Sequence, residues 1–226
     1  MALLTPDRGD ALTAEASAWL RCLAGQPWTE SFYLAGSAAL ALYLGHRRVG
    51  NLDLMSASAR LASPERRDLL ATLKRLDPRF EVETAQDGYL YGRGHDGVAL
   101  KLFHYPYPLI APAQAHDGVD VASAADLGAM KLAALIARAA RRDFVDLYLL
   151  CRRLPLAALI EHGAAKFSHV RDFSVQALKA LADRELARED PMPELLEPLA
   201  WDEVERWADR ALRDEARARF QIPETT

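Results

Sequence analysis

Three features of this 226-residue chain have residue types and spacings that could do chemistry. The first is Gly36-Ser37. A glycine at such a turn lets the backbone approach a phosphate, the N–H and hydroxyl of the next residue can bind its oxygens, and a following helix N-terminus adds favourable partial charge. The second is Asn51-Leu52-Asp53. Side chains two positions apart on a strand share a face, where oxygen donors can hold Mg²⁺. Only Asp53 is an acid, and Asn51 keeps a carbonyl that binds Mg²⁺ less strongly than a carboxylate would. The third is Lys131, alone in an apolar helix, followed by Asp143 and Asp146 at i, i+3 on one helix face.

Each feature also has a plainer reading. Gly36 and Asp53 would serve equally as a turn glycine and a solvated strand acid, and Ser37 as an N-cap without a ligand. Lys131 amid Met, Leu and Ala needs a partner in any fold, so an ordinary buried ion pair with an aspartate explains it too. Arg138, Arg141 and Arg142 could line a phosphate-binding surface or form a solvated basic stripe. His46-Arg47-Arg48 could meet phosphate or simply connect two elements. Tyr105-Pro106-Tyr107-Pro108 could stack a base or seal a core edge.

The elements that must position these residues follow from periodicity. Helical spacing of apolar residues runs over 11–23 and is closed by Gly25 and Pro27. A strand over 31–35 then leads through the Gly-Ser turn into an Ala/Leu-rich helix over 38–44. A half-buried strand covers 51–55, and Ser63-Pro64-Glu65 starts a helix lined by Leu69, Leu70, Leu73 and Leu76, with Ser63 as cap. Meander strands are expected at 80–85, 88–92 and 98–103, separated by Gly-containing turns, and a brief one at 119–121. Ser123 caps a helix to about 137. Helical patterns recur at 143–150, 156–160, 175–186 and 201–212. The expected architecture is an α+β half, residues 1–118, followed by an all-helical half, residues 119–226, with a cleft completed by the second half.

Composition narrows the options. Half of the residues are hydrophobic, which excludes a disordered chain, and a net charge of −4 supplies no global field for nucleic acid, so any RNA contact must be local. Cys22 and Cys151 are far apart and are expected to be core thiols, and no histidine has zinc-ligand spacing. Asp7 and Asp10 sit where a signal peptide needs an unbroken apolar run, and no stretch is apolar enough to cross a membrane, so a cytoplasmic location is expected.

Read in order, FYLAGSAALALYLGHRR, NLDLMS, LFHYPYPLIAP, DLGAMKLAALIARAARRDFVDLY and DPMPELLEPLAWDEVERW resemble segments of the AbiEii/AbiGii-type toxin nucleotidyltransferases, over nearly the whole chain. The resemblance implies the polymerase-β-like nucleotidyltransferase fold: a mixed sheet with flanking helices, then a helical part. It implies transfer of a nucleoside monophosphate from an NTP, with Mg²⁺ or Mn²⁺, to an RNA end such as tRNA or to a protein hydroxyl, and a cognate antitoxin regulator as partner. Carried over by position, Asp53, Lys131, Asp143 and Asp146 become catalytic candidates. Gly36, Ser37, Asn51, Lys131 and Arg142 become nucleotide-binding candidates, and Asp53 and Asn51 metal ligands. Many such enzymes carry a further acid on a later strand, where this chain offers Lys101. That substitution and Asn51 leave open a degenerate protein that binds nucleotide or a partner without turnover.

Overall fold

A computed structural model describes residues 4–220. The chain divides into two compact units, Met1–Leu127 and Gly128–Thr226. The division falls later than 118 because two short strands on either side of that residue pair onto the sheet of the first unit.

In the first unit, α1 (Ala14–Ala24) precedes β1 (Tyr33–Ala35), α2 (Gly36–Leu44), β2 (Leu52–Ser56), α3 (Ser63–Leu76), β3 (Glu81–Gln86), β4 (Tyr89–Arg93), β5 (Ala99–His104), β6 (Gln114–His116) and β7 (Val119–Val121). The seven strands form one sheet in the order β3-β4-β5-β2-β1-β7-β6. β1 lies antiparallel to β2 and parallel to β7, and β2 lies parallel to β5.

Alternation along the central strands separates two faces. Leu34, Leu52, Leu54, Leu90, Leu100 and Leu102 are fully buried, each stabilising the fold by about 1.5–3 kcal/mol. Asp53 and Met55, Lys101 and Phe103, and Tyr89 and Tyr91 fall on the opposite face and keep partial exposure. The strand period thus places the chemically capable residues on the open side. α2 is apolar all round, with Ala38 to Tyr43 buried, as a helix inside a core should be.

Local chemistry moved several boundaries. α1 starts at Ala14, not at residue 11, because Thr13 Oγ1 accepts from Ala16 N at 3.2 Å. Ser63 is not a cap but the first residue of α3; Ala62 occupies the cap position, and its N–H donates to Glu65 at 3.0 Å. Ser37 is likewise no N-cap, since α2 begins at Gly36 after Ala35. Ser123 does cap: its Oγ accepts from Asp126 N at 3.1 Å and donates to Asp126 Oδ2 at 2.7 Å. The thiols depart from expectation, as Cys22 is exposed and Cys151 half-buried. Burial and then the charge of Glu215 push the Cys151 thiol up to about 12, so it is protonated at neutral pH.

α4 (Ala124–Arg138) runs across the division. The second unit continues with α5 (Arg141–Cys151), α6 (Leu156–Lys166), α7 (Phe173–Ala182), α8 (Glu185–Glu189) and α9 (Trp201–Phe220). The single helix expected over 175–186 is two, because Asp183 closes α7 in an extended conformation and its side chain accepts from Glu185 N at 3.3 Å. No helix among the described residues is long and apolar enough to cross a membrane.

Candidate active site

In the first unit the site is built where β1 ends. Gly36 has φ +64°, a left-handed conformation that a glycine adopts without penalty. A Cβ at this position would overlap Asp53 Oδ2 and lie 3.2 Å from Asp53 Cγ. The glycine therefore brings the start of α2 against the carboxylate of β2, and the pairing of Ala35 with Asp53 fixes that register. The turn and the acid form one construction.

Ser37 Oγ accepts from Arg47 Nη2 at 2.8 Å, and Arg47 Nε donates to His46 Nε2 at 3.3 Å. The segment after Gly45 thus folds back to place a guanidinium beside the Gly-Ser turn. A helix of nine residues whose first turn carries no acid, with a guanidinium on its first hydroxyl, is suited to a polyanion.

Asp53 faces β5 on its other side. It pairs in register with Lys101, whose Nζ lies 4.0 Å from Asp53 Oδ1 with the two side chains 36% and 28% exposed. Lys101 also lies over the Tyr91 ring, 5.7 Å from its centroid. The strand inferred from sequence to carry a further acid does adjoin Asp53, and the residue it presents is this lysine. Asn51 precedes β2 and is exposed, and its Oδ1 accepts from Ala99 N at 3.2 Å.

Among the described residues no group of three or more His, Cys, Asp or Glu side chains is arranged to hold a metal ion. With one carboxylate, an amide oxygen already accepting from the backbone, and an ammonium close to the acid, the donor set does not fit a pair of ions. A single ion sharing Asp53 with phosphate oxygens does fit.

In the second unit, Lys131 Nζ lies 3.0 Å from Asp143 Oδ1 and 2.6 Å from Asp146 Oδ2, and both aspartates are fully buried. Arg138 joins through Nε to Asp143 Oδ2 at 2.8 Å and Nη2 to Asp143 Oδ1 at 3.0 Å, a two-pronged contact. Burial pushes the Asp143 carboxyl up, but hydrogen bonding and charge from Arg138 and Lys131 outweigh it and hold the group below the usual carboxylate range. Arg142 is exposed. Arg141 is tied into the unit instead, with its N–H on Asp190, its Nε on the Ala187 carbonyl and its guanidinium over Trp201.

The sequence-derived candidates thus gather as two groups. Gly36, Ser37 and Asp53 come together in one unit, and Lys131, Asp143 and Asp146 in the other. Tyr91 stood outside the candidates, and Arg47 entered only as one of the loop trio His46-Arg47-Arg48. The signal for Tyr91 was its alternation with Tyr89 across a short hairpin from Lys101; for Arg47 it was the Gly45 break, which returns the chain toward Ser37.

A mixed sheet in which a strand runs through a left-handed Gly-Ser turn into a buried helix, with an acid on the adjacent antiparallel strand, defines a protein of nucleotidyltransferase fold. Solved structures bear this out. MenT4, a nucleotidyltransferase toxin of Mycobacterium tuberculosis, superposes with a TM-score of 0.51 at 18% identity, over 89% of this chain and 86% of its own. A candidate nucleotidyltransferase from Helicobacter pylori gives 0.51 at 15% identity over 92% and 94%. The antibiotic-resistance factor ANT(2'')-Ia gives 0.52 at 16% identity over 70% and 93%. At such identities the likeness speaks to the fold. The family model described as "Nucleotidyl transferase AbiEii toxin, Type IV TA system" matches residues 18–221, and this chain belongs to that family. An uncharacterised protein of Aquifex aeolicus is 31% identical over 191 residues, 81% of this chain and 87% of its own.

Proposed function

We propose that this protein transfers a nucleoside monophosphate from an NTP to the hydroxyl of an RNA end, with tRNA as the leading acceptor and an antitoxin regulator as its natural inhibitor in the cytoplasm. The acceptor oxygen forms a bond to the α-phosphorus as the bond to the β-phosphate oxygen breaks, pyrophosphate leaves, and the hydroxyl proton passes to solvent. The observation that carries the reading is the close approach of Gly36 to Asp53, which brings the Gly-Ser turn and a carboxylate to one point, as a site for a phosphate and its counter-ion requires.

In this reading the backbone N–H groups at Gly36 and Ser37, the Ser37 hydroxyl and Arg47 take triphosphate oxygens, and Asn51 keeps the end of β2 in register through Ala99. A divalent ion, Mg²⁺ or Mn²⁺, would be held by Asp53 with phosphate oxygens and would neutralise charge there. Within the second unit, Lys131 and Arg142 are proposed as the groups that offer positive charge to a phosphate. An ammonium has three donors, and Asp143 and Asp146 take two of those of Lys131 and fix its position.

The test is labelling of total tRNA and of the protein itself by each radiolabelled NTP. Asp53→Ala should reduce labelling by about 100-fold or more. Undiminished labelling by that variant would refute the assignment of the site, and labelling of protein alone would replace RNA with a protein hydroxyl as acceptor. The Lys101–Asp53 pair supports a second reading, nucleotide binding without turnover, which predicts NTP binding by calorimetry with no labelling of any acceptor.

A further inference from the structure

We propose that the Lys101 ammonium is a built-in cation of the nucleotide site, standing in for one of two divalent ions, so that this protein binds an NTP with at most one ion and retains binding with none. The inference rests on the nucleotide-binding reading above and concerns how that site meets the charge of its ligand.

A site of two or three carboxylates is negative when empty and repels a triphosphate until divalent ions reverse its sign. Here the acid beside the Gly-Ser turn is Asp53, and the cations placed against it and against the turn are Lys101, 4.0 Å from Asp53 Oδ1, and Arg47, 2.8 Å from Ser37 Oγ. These two cations and the α2 N-terminus all add to the positive side. The site has the sign for a polyanion before any ion arrives.

Lys101 is held in this place. The ladder between β2 and β5 sets its residue directly opposite Asp53, and the ring of Tyr91, opposite Lys101 on β4, lies under its ammonium. A lysine kept only for solubility needs neither partner. At 4.0 Å and partial exposure the ion pair is loose, so it adds little to stability, and the ammonium can turn from Asp53 to a phosphate oxygen. Asn51 points the same way, since its amide oxygen is engaged by Ala99 N.

The experiment is calorimetric titration of ATP, GTP, CTP and UTP into the full-length protein, in EDTA and in Mg²⁺, with Mn²⁺ counted by electron paramagnetic resonance. Wild type should bind its preferred NTP in EDTA within about tenfold of the affinity in Mg²⁺, with no more than one Mn²⁺ per nucleotide. Lys101→Glu should lose binding in EDTA by about 100-fold or more and take up a second Mn²⁺ per nucleotide. Lys101→Met, neutral and of similar length, should weaken binding in EDTA without recruiting the second ion, which separates charge from a folding defect. If wild type binds NTP only with divalent ions and carries two Mn²⁺, the built-in cation is refuted while the nucleotide site stands. If no NTP binds under any condition, both fail.

Discussion

The two groups of charged residues use the same chemistry under opposite conditions. Around Asp53 an acid and a lysine sit 4.0 Å apart on a partly exposed sheet face. In the helical unit Lys131 is 7% exposed, Asp143 and Asp146 are fully buried, and contacts run from 2.6 to 3.0 Å. A loose, partly exposed pair can exchange its partner for a ligand at less cost. A tight, dry cluster holds its shape because every member would be costly to leave unpaired. One arrangement is therefore suited to binding and the other to positioning, although sequence alone nominates both as catalytic.

The sharpest way to break this comparison is to remove one cation from each group. Lys131→Met leaves two carboxylates buried with Arg138 as the remaining cation shown on Asp143, and should destabilise the protein by about 3–5 kcal/mol in urea unfolding. Lys101→Met should change stability by less than about 1 kcal/mol. Equal effects would show that burial does not separate the two groups.

A smaller effect is expected from Gly36→Ala. The left-handed backbone costs an alanine roughly 1–2 kcal/mol, and the new methyl must push Asp53 aside. Thermal unfolding should register the strain, and NTP binding should fall together with it. Lost binding with unchanged stability would mean that the glycine serves ligand approach rather than contact with Asp53.

The sequence carried the order of elements well wherever period and punctuation agreed. Gly45, at φ +60° and donating its N–H to Ala41 O at 2.7 Å, ends α2 where the sequence places the break, and the alternation of LDL and LKL set Asp53 and Lys101 on one face. What escaped notice depends on partners remote in sequence. β6 is three residues that become a strand only by pairing with β7. Ser37 looked like a cap because nothing local announces that Arg47 will reach its hydroxyl. Nor does anything local announce that Asn51 Oδ1 will accept from Ala99 N, 48 residues further on. The pairing of Lys131 with both aspartates was half-legible: helical spacing puts Asp143 and Asp146 on one face, but burial decides that both close on the amine.

The finest probe of the buried cluster is Arg138→Ala followed across pH. The Asp143 carboxyl is held below its usual range despite burial, and Arg138 is the first of the groups that lower it. A depressed carboxyl stabilises the folded protein above the unfolded value of about 3.9, and that contribution disappears as pH falls through the folded value. Because the Arg138 side chain is 50% exposed, the loss at neutral pH should be modest, about 1 kcal/mol. Urea midpoints should therefore differ by a constant amount from neutral pH down to about 4 and converge below it, while the variant's acid-unfolding midpoint moves to higher pH. Asp77, which burial raises but hydrogen bonds from His95 and Arg79 lower further, titrates in the same acid range. It is present in both proteins, so it cancels from the difference. A gap that persisted unchanged at low pH would assign the effect of Arg138 to packing of its stem and not to the carboxylate it clasps.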